Sequence, residues 1–264
     1  VLQYLLQACP VPGLAACLAG VERDFSEHAG DFPALAEKYE VFGKPSLDLD
    51  EKLQALIRAA VELASAEAPH WDKIAARLRY LDFARHLAES EAKRGITNFV
   101  AKLRYLTAKE LYGRDTLEIY TEQELRAASR FIVAERNHLY SYAGLDLLLS
   151  RYVIHTHHGV ALESPQEMYL GIALHLAMLE EPSVRMDWVR RFYDMLSLQQ
   201  VTMATPTLAN ARKPYHQLSS CFIDAVPDSL DGIYRSLDSF AKVSKWGGGM
   251  GLYFGKVRAV GGRI

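Results

Sequence analysis

The chain has 264 residues, half of them hydrophobic, and its 30 basic and 32 acidic side chains give a formal net charge of −2. This length and apolar content are enough for one or two globular domains with a sizeable core. The near-neutral charge gives no sign of a polyanion-binding surface, so the composition argues against binding to nucleic acid as a polymer.

The first stretch of the chain, residues 1–21, is apolar, but Pro10 and Pro12 interrupt it and it contains no basic residue. It is therefore a poor membrane span and a poor signal peptide, and we expect no membrane attachment. Residue 1 is not methionine, so we expect the chain to have been processed or to be a piece of a longer one.

The number and spacing of the cysteines indicate the redox environment of the chain. Cys9, Cys17 and Cys221 are odd in number and irregularly spaced, so they match neither a disulfide framework nor a zinc motif. Free thiols of this kind fit a reducing environment, and we expect a cytoplasmic location.

Apolar side chains at three- and four-residue spacing predict helices through most of the middle of the chain. Helix starts are marked by a first-turn proline and by Ser or Thr followed three positions later by Glu. These signals are Pro69, Thr121 with Glu124, and Ser164 with Glu167. The predicted helical segments are residues 46–94 (two helices), 98–115, a helix from 121, then 137–150, 164–180, 184–198 and 228–246.

A different pattern occupies residues 151–162, where two short strand-like runs flank a His-His-Gly turn and predict a β-hairpin. The histidines of this segment, His155, His157 and His158, suggest a metal site at first. No carboxylate or cysteine completes a set at ligand spacing, so exposed turn residues are the better interpretation. We predict no metal site in this chain.

The last quarter of the chain combines small polar residues and glycines with short apolar runs. Cys221 follows Ser219 and Ser220 and precedes a strand-like run. A single thiol in this context is either inert core filler or a redox group, and burial is the commoner case for a free cysteine. The run at residues 247–251 lacks the features of a P-loop or a dinucleotide fingerprint, so on its own it predicts a turn.

The predicted helix at residues 228–246 has an apolar stripe, and Asp228 or Ser229 is placed to cap it. Such a stripe is more often ordinary core than an interface. Its members are Leu230, Ile233, Leu237, Phe240 and Ala241.

The order and spacing of five motifs in this quarter give the chain a family resemblance. The motifs are Ala-Thr-Pro-Thr (204–207), Ser-Ser-Cys (219–221), Asp-Ser-Leu (228–230), the glycine run (247–251) and Gly-Lys-Val-Arg (255–258). Together they resemble the large (alpha) subunit of ribonucleotide reductase, especially the class I enzymes that act on diphosphates. The resemblance runs from about Asp50 to the end and is sharpest from Thr205 onward.

The resemblance implies a substrate pocket and an allosteric effector site. Cys221 would be the catalytic residue, one thiol of a redox-active pair whose partner lies beyond this chain. The implied substrate-binding residues are Thr205, Ser220, Cys221, Gly248 and Gly249. The implied effector-binding residues are Asp228, Ser229, Leu230 and Arg258, with Arg258 supplying positive charge toward phosphate.

The resemblance also implies the architecture. We expect a mainly α fold, in which an N-terminal helical domain with a short β-hairpin precedes the first strands and helix of an incomplete ten-stranded α/β barrel. The expected parts are residues 1–95, a degenerate or partial ATP-cone-like helical region; 96–200, the helical N-terminal reductase domain; and 201–264, the start of the barrel. The Val-x-Lys-Arg-x-Gly hairpin that opens an ATP cone is absent, so no residues are assigned to an activity switch.

The activity implied by the resemblance is radical-based reduction of ribonucleotides to deoxyribonucleotides for DNA synthesis. We expect no cofactor bound by this chain, deoxynucleotide or ATP effectors, and a di-metal radical cofactor in a separate small (beta) subunit. Further expected partners are a ribonucleoside diphosphate, a second alpha subunit, the C-terminal part of the large subunit, and thioredoxin or glutaredoxin. The radical cysteine of the family falls beyond residue 264, so we expect the chain to be inactive alone.

Two alternatives stay open. The chain could be a non-catalytic deoxynucleotide-binding or regulatory module derived from a reductase, although such a module has no need of the redox thiol in Ser-Ser-Cys. It could also be a fragment of a cobalamin-dependent reductase, because the pocket motifs do not decide how the radical is made.

Overall fold

A computed structural model describes residues 1–6, 13–44 and 46–262; Cys9, Pro10 and Pro12 lie outside them. None of the described helices is long and apolar enough to cross a membrane. The described strands are β1 (Cys221–Ala225) and β2 (Gly249–Tyr253). The described α-helices are α1 (Leu2–Leu5), α2 (Leu14–Asp24), α3 (Phe32–Phe42), α4 (Leu49–Leu63), α5 (His70–Arg94), α6 (Phe99–Ala108), α7 (Asp115–Ile119), α8 (Glu122–Ser129), α9 (Tyr142–Leu147), α10 (Pro165–Leu176), α11 (Arg185–Ser197), α12 (Thr205–Asn210) and α13 (Leu230–Lys245).

Two compact units divide the chain. One comprises Val1–Thr97 and Val133–Met168, and the other comprises Asn98–Ile132 and Tyr169–Ile264. The divisions expected from the sequence at residues 95 and 200 stay predictions.

Helix α4 shows how the first unit builds its core. It begins with a capping box, in which Asp48 Oδ1 accepts a hydrogen bond from Glu51 N (2.9 Å) and Asp48 N donates to Glu51 Oε2 (3.0 Å). Its apolar face, with Leu53, Leu56 and Ile57 all at most 2% exposed, packs with α3 and α5. Burial of each such side chain stabilises the fold by about 1.5–3 kcal/mol.

The helix predicted at residues 137–150 is wrong in its extent. A 3-10 turn covers Ala134–His138, and α9 begins only after Ser141, whose Oγ accepts a hydrogen bond from Gly144 N (3.1 Å). A π-helical turn follows at Leu148–Tyr152. The serine hydroxyl competes with the helical backbone for an amide and caps a new helix, which the apolar spacing could not reveal.

The predicted β-hairpin is confirmed. Thr156 N donates a hydrogen bond to Val160 O (2.8 Å), and an antiparallel bridge joins His155 and Ala161. Gly159 has φ +78°, a left-handed conformation that favours glycine at the turn.

Helix α8 of the second unit begins with the predicted capping box. Thr121 Oγ1 accepts a hydrogen bond from Glu124 N (3.2 Å), which starts α8, and α8 packs with α6 and α11. The buried Tyr120 hydroxyl donates to Leu174 O (2.7 Å) on α10, and burial raises the pKa of this phenol well above its usual range. These contacts hold α8 and α10 in one core.

A β-α-β segment completes the second unit. Strands β1 and β2 pair in parallel, with Cys221 opposite Gly249 and Ala225 opposite Tyr253, and α13 connects them and packs on β2. Two parallel strands require a crossover connection of this kind because a tight turn cannot join their ends.

Candidate functional site

The N-terminal ends of the two parallel strands bring together four of the implied substrate-binding residues. Gly249 N donates a hydrogen bond to Ser220 O (2.7 Å), and Gly249 is the register partner of Cys221. Ser220 Oγ lies 3.5 Å from Cys221 Sγ, within hydrogen-bond reach of the thiol. Ser220, Cys221, Gly248 and Gly249 therefore form one corner of the strand pair.

The thiol of Cys221 lies on the open face of the strands. Side chains of a strand alternate between its two faces, so Cys221 shares a face with Ile223, which is 88% exposed. Phe222 points to the other face, towards α13. Cys221 is an exposed free cysteine, which argues against inert core filler and favours a thiol that can react.

The glycines of the corner serve different purposes. A Cβ on Gly248 would come within 2.7 Å of Val243 Cγ1 and 2.8 Å of Phe222 Cε2, so a side chain has no room there. A Cβ on Gly249 would meet only Ser220 O, at an ordinary 3.5 Å. Gly248 thus allows α13 to pack closely against β1, whereas Gly249 leaves open space beside Cys221.

Thr205 is the exposed first residue of α12, and the neighbouring bonds tie this helix to the corner. Thr207 Oγ1 donates a hydrogen bond to Leu218 O (3.2 Å). Asn210 Nδ2 donates to Gln217 O (3.1 Å) and to Trp246 O (3.2 Å). The amide of Asn210 therefore joins the segment before Ser-Ser-Cys to the segment before the glycine run.

The implied effector-binding residues gather at the opposite, C-terminal end of the strand pair. Arg258 Nε donates hydrogen bonds to both carboxylate oxygens of Asp228 (2.9 and 2.8 Å), and Arg258 Nη2 donates to Asp228 O (3.1 Å). The hydrogen bond from Arg258 holds the pKa of the Asp228 carboxyl below its usual range. The pair links the loop after β1 to the loop after β2.

Ser229 and Leu230 start α13 beside this ion pair. Ser229 Oγ accepts a hydrogen bond from Gly232 N (3.1 Å), so Ser229 rather than Asp228 caps the helix. Leu230 is 59% exposed. A strand of five residues spans about 13 Å between its first and last Cα atoms, so the two groups of residues lie at separate ends of one β-α-β segment.

The comparisons with known proteins agree with this arrangement. Residues 138–216 match the family model "Ribonucleotide reductase, all-alpha domain", and residues 219–264 match "Ribonucleotide reductase, barrel domain". The chain is 54% identical over 247 residues to a ribonucleoside-diphosphate reductase subunit alpha from Treponema pallidum, covering 94% of this chain and 29% of that protein. The chain belongs to the ribonucleotide reductase large-subunit family.

More distant relatives of the reductase family agree. A subunit alpha from Helicobacter pylori is 33% identical over 84% of this chain and 27% of its own length. A subunit alpha from Synechocystis is 36% identical over 78% of this chain and 26% of its own length. The chain thus spans less than a third of the length of the curated relatives it matches. The predicted architecture, a helical domain followed by the start of the reductase barrel, is confirmed.

Two polar contacts of this reductase segment could not be found from the sequence. Asn210 lies in the Ala-Thr-Pro helix, but its two acceptors are 7 and 36 residues away. Asp224 Oδ2 accepts a hydrogen bond from the buried Ser236 hydroxyl (2.6 Å), which joins β1 to α13. Both residues support the strand ends, and neither has a sequence signal beyond its place in a helix or a strand.

Proposed function

We propose that the complete protein reduces ribonucleoside diphosphates to deoxyribonucleoside diphosphates and that this chain supplies one redox thiol, part of the substrate pocket and the effector specificity site. The observation that carries the proposal is the corner at which the exposed Cys221 thiol lies between Ser220 and Gly249. Thr205 and Ser220 offer hydroxyl groups to the substrate, and the exposed Gly249 lets it approach the backbone, while the buried Gly248 packs behind it.

The proposed chemistry uses Cys221 as a reductant. The substrate loses its 2′-hydroxyl as water and gains a hydrogen at that carbon. Two thiols supply the two electrons and two protons and become a disulfide, with Cys221 as one of them and a cysteine elsewhere in the complete subunit as the other. Thioredoxin or glutaredoxin then reduces that disulfide. The radical that starts the reaction comes from a di-metal centre in a separate small subunit, as in class I enzymes.

The proposed effector is a deoxynucleoside triphosphate or ATP, bound at Asp228, Ser229, Leu230 and Arg258. A guanidinium has five N–H donors, so Arg258 can keep its bonds to Asp228 and still bind a phosphate. Replacement of Arg258 by Ala should weaken binding of a deoxynucleoside triphosphate about tenfold or more, since a hydrogen bond to a charged group is worth about 1.5–3 kcal/mol. Unchanged affinity in calorimetry would remove the effector role.

The proposed homodimer uses the exposed apolar face of α13. Leu230, Tyr234 and Leu237 lie at four- and three-residue spacing on this helix and are 59, 63 and 54% exposed. An exposed apolar stripe of this kind marks an interaction surface, and the same helix from a second subunit can cover it. Sedimentation should show a monomer for Leu237→Asp; a persistent dimer would place the interface elsewhere.

The experiment that tests the catalytic proposal compares two exposed cysteines. The complete large subunit, with its small subunit, is assayed for conversion of a ribonucleoside diphosphate. We expect Cys221→Ser to abolish product formation, because a hydroxyl cannot close the disulfide. Cys17→Ser, which alters the other exposed free thiol of the described residues, should keep full activity.

The alternatives predict other results. If Cys221→Ser supports turnover as well as wild type, Cys221 is not the reductant, the proposed redox role falls, and this chain contributes a nucleotide-binding or regulatory module instead. If turnover needs added cobalamin and no small subunit, the cobalamin-dependent alternative replaces the class I assignment.

A further inference from the structure

Two histidines of the first unit, far apart in sequence, lie against one carboxylate. His28 belongs to a 3-10 turn at Ser26–Asp31, and His70 is the first residue of α5. Their rings stack with centroids 3.9 Å apart and planes 4° from parallel. Asp31 Oδ2 lies 3.1 Å from His70 Nε2 and 3.7 Å from His28 Nδ1. Neither the motifs nor the reductase activity gives this cluster a role.

We propose that His28, Asp31 and His70 form a binding site for a divalent transition metal of the zinc type. Imidazole nitrogens and a carboxylate oxygen are the ligands such ions prefer. With metal–ligand bonds of about 2.0–2.1 Å, two ligand atoms on a tetrahedral ion lie about 3.4 Å apart. The distances of 3.1 and 3.7 Å from Asp31 to the two ring nitrogens lie on either side of that value.

Two features of the cluster point to a ligand. His70 Nε2 is buried, and its 3.1 Å contact with Asp31 Oδ2 lacks hydrogen-bond geometry, although a buried polar atom normally makes a hydrogen bond. Asp31 joins the 3-10 turn to α3 with helical backbone angles (φ −91°, ψ −17°), so its carboxylate caps no helix and instead lies against the two histidines.

Glu27 completes the arrangement from the outer side. Its Oε1 lies 3.4 Å from His28 Nε2, the nitrogen that faces away from Asp31. Histidines that bind a metal through one nitrogen usually direct the other N–H to a carboxylate, which fixes the ring. Glu27 is placed for this role, and water takes the fourth position on the metal.

Metal binding requires a small rearrangement of the stacked rings. A metal ion lies in the plane of each imidazole that binds it, so two parallel rings cannot both face it without one turning. The His28 side chain is 31% exposed and lies where the backbone departs from helical geometry (φ −104°, ψ 18°), so this ring has room to turn. The bound ion would then join the 3-10 turn to the start of α5.

A second cluster in the same unit provides the matched control. Asp50, Asp82 and His86 also come within ligand distance of one another. There, the Arg85 guanidinium contacts Asp50 and lies 3.3 Å from Asp82 Oδ1, so a cation already neutralises both carboxylates. We expect this second cluster to bind no metal.

The test is a metal titration of the protein after removal of metals by a chelator. We expect one Zn²⁺ per chain in calorimetry, and Co²⁺ should give the visible absorption of a tetrahedral ion. His28→Ala and His70→Ala should each weaken Zn²⁺ binding at least about tenfold, because losing even an outer partner of a ligating histidine costs about 10- to 100-fold. Mg²⁺ should not compete, since it prefers all-oxygen sites.

The control variants decide the outcome. His86→Ala should bind Zn²⁺ like wild type, and so should a variant in which His157 and His158 of the exposed hairpin turn are both alanine. If His70→Ala does not fold, the more exposed His28→Ala and the near-isosteric Asp31→Asn carry the same test. The proposal is overturned by absence of saturable binding, by equal affinity in His28→Ala and wild type, or by loss of binding only in the hairpin variant.

Discussion

The α4–α5 region and the β-α-β segment both contain an apolar stripe, which is buried in the first and exposed in the second. In α4, the apolar stripe is buried: Leu53 and Leu56 are 0% exposed. In α13, a stripe of the same spacing leaves Leu237 54% exposed, and on the neighbouring strand Ile223 is 88% exposed. Both helices are amphipathic, so the pattern predicts a helix with an apolar face in each case, and neighbouring structure decides whether that face is covered.

This difference separates residues that stabilise the fold from exposed apolar residues that are available to bind a partner. The apolar side chains of the α4–α5 core are buried within their own unit, so substitutions there should change the free energy of unfolding. The open face of the strands has Cys221, and the open face of α13 begins at Leu230, so apolar exposure and the proposed functional residues coincide. Contiguous exposed apolar residues of this kind are typical of binding surfaces.

The largest effect should come from truncating the same residue type in the two regions. Ile74 on α5 is 0% exposed, and Ile223 on β1 is 88% exposed. We expect Ile74→Ala to lower the free energy of unfolding by about 2–5 kcal/mol through lost burial and a cavity. Ile223→Ala in this chain should change it by less than about 0.5 kcal/mol. Urea denaturation followed by circular dichroism measures both.

Equal losses for these two variants would contradict the comparison, because they would show that Ile223 is packed in solution. Leu56→Ala on α4 is a second buried position and should behave like Ile74→Ala.

A smaller effect should separate two adjacent glycines. An alanine methyl at Gly248 would lie 2.7 Å from Val243 Cγ1, so Gly248→Ala should destabilise the β-α-β segment by about 1–3 kcal/mol through overpacking. Gly249→Ala meets only Ser220 O at 3.5 Å and should leave stability nearly unchanged. Under the proposed function, it should instead weaken substrate binding. Thermal melts and substrate titrations of both variants check this, and equal destabilisation would refute the distinction.

Much of the fold could be predicted from the sequence because its signals are local. The capping box at Thr121 and Glu124, the turn at Gly159 and the periodicity of α4 each need only a few neighbouring residues. The prediction at residues 137–150 was wrong because Ser141 replaces a helical backbone bond with a side-chain bond, and apolar spacing does not detect such a cap.

The order of the motifs predicted the residues of the candidate site, but it did not predict the contacts that support them. Pairing of Cys221 with Gly249 depends on strand register across 28 residues, and the Asn210 bond to Trp246 spans 36. The cluster of His28 and His70 joins elements 42 residues apart. Spacing along a sequence cannot show such contacts, because the tertiary fold alone makes the residues neighbours.

The cap of α13 should give an effect of about 1 kcal/mol. Ser229 Oγ accepts a hydrogen bond from Gly232 N, and its loss leaves an amide at the helix start without that acceptor. We expect Ser229→Ala to destabilise the segment by about 0.5–2 kcal/mol, whereas Ser229→Asp keeps an acceptor and should stay close to wild type. Hydrogen exchange of the first turn of α13 measures the change locally. Equal exchange rates in wild type, Ser229→Ala and Ser229→Asp would show that the Ser229 hydroxyl does not cap α13.

The smallest effect is the pH dependence at the effector end. Arg258 holds the folded-state pKa of Asp228 below the ordinary 3.8. A depressed carboxyl pKa contributes stability that is present above the unfolded pKa and is lost as the pH falls through the folded value. NMR titration of the Asp228 side-chain carbon should therefore show a midpoint below 3.8, and Arg258→Ala should move it up towards that value.

Replacement of the exposed Arg151, on the other unit, should leave the midpoint low. Identical midpoints in wild type and Arg258→Ala would mean that the ion pair does not persist in solution. Because the pair lies at the surface, salt should weaken the shift, whereas burial at Ile74 is insensitive to such screening.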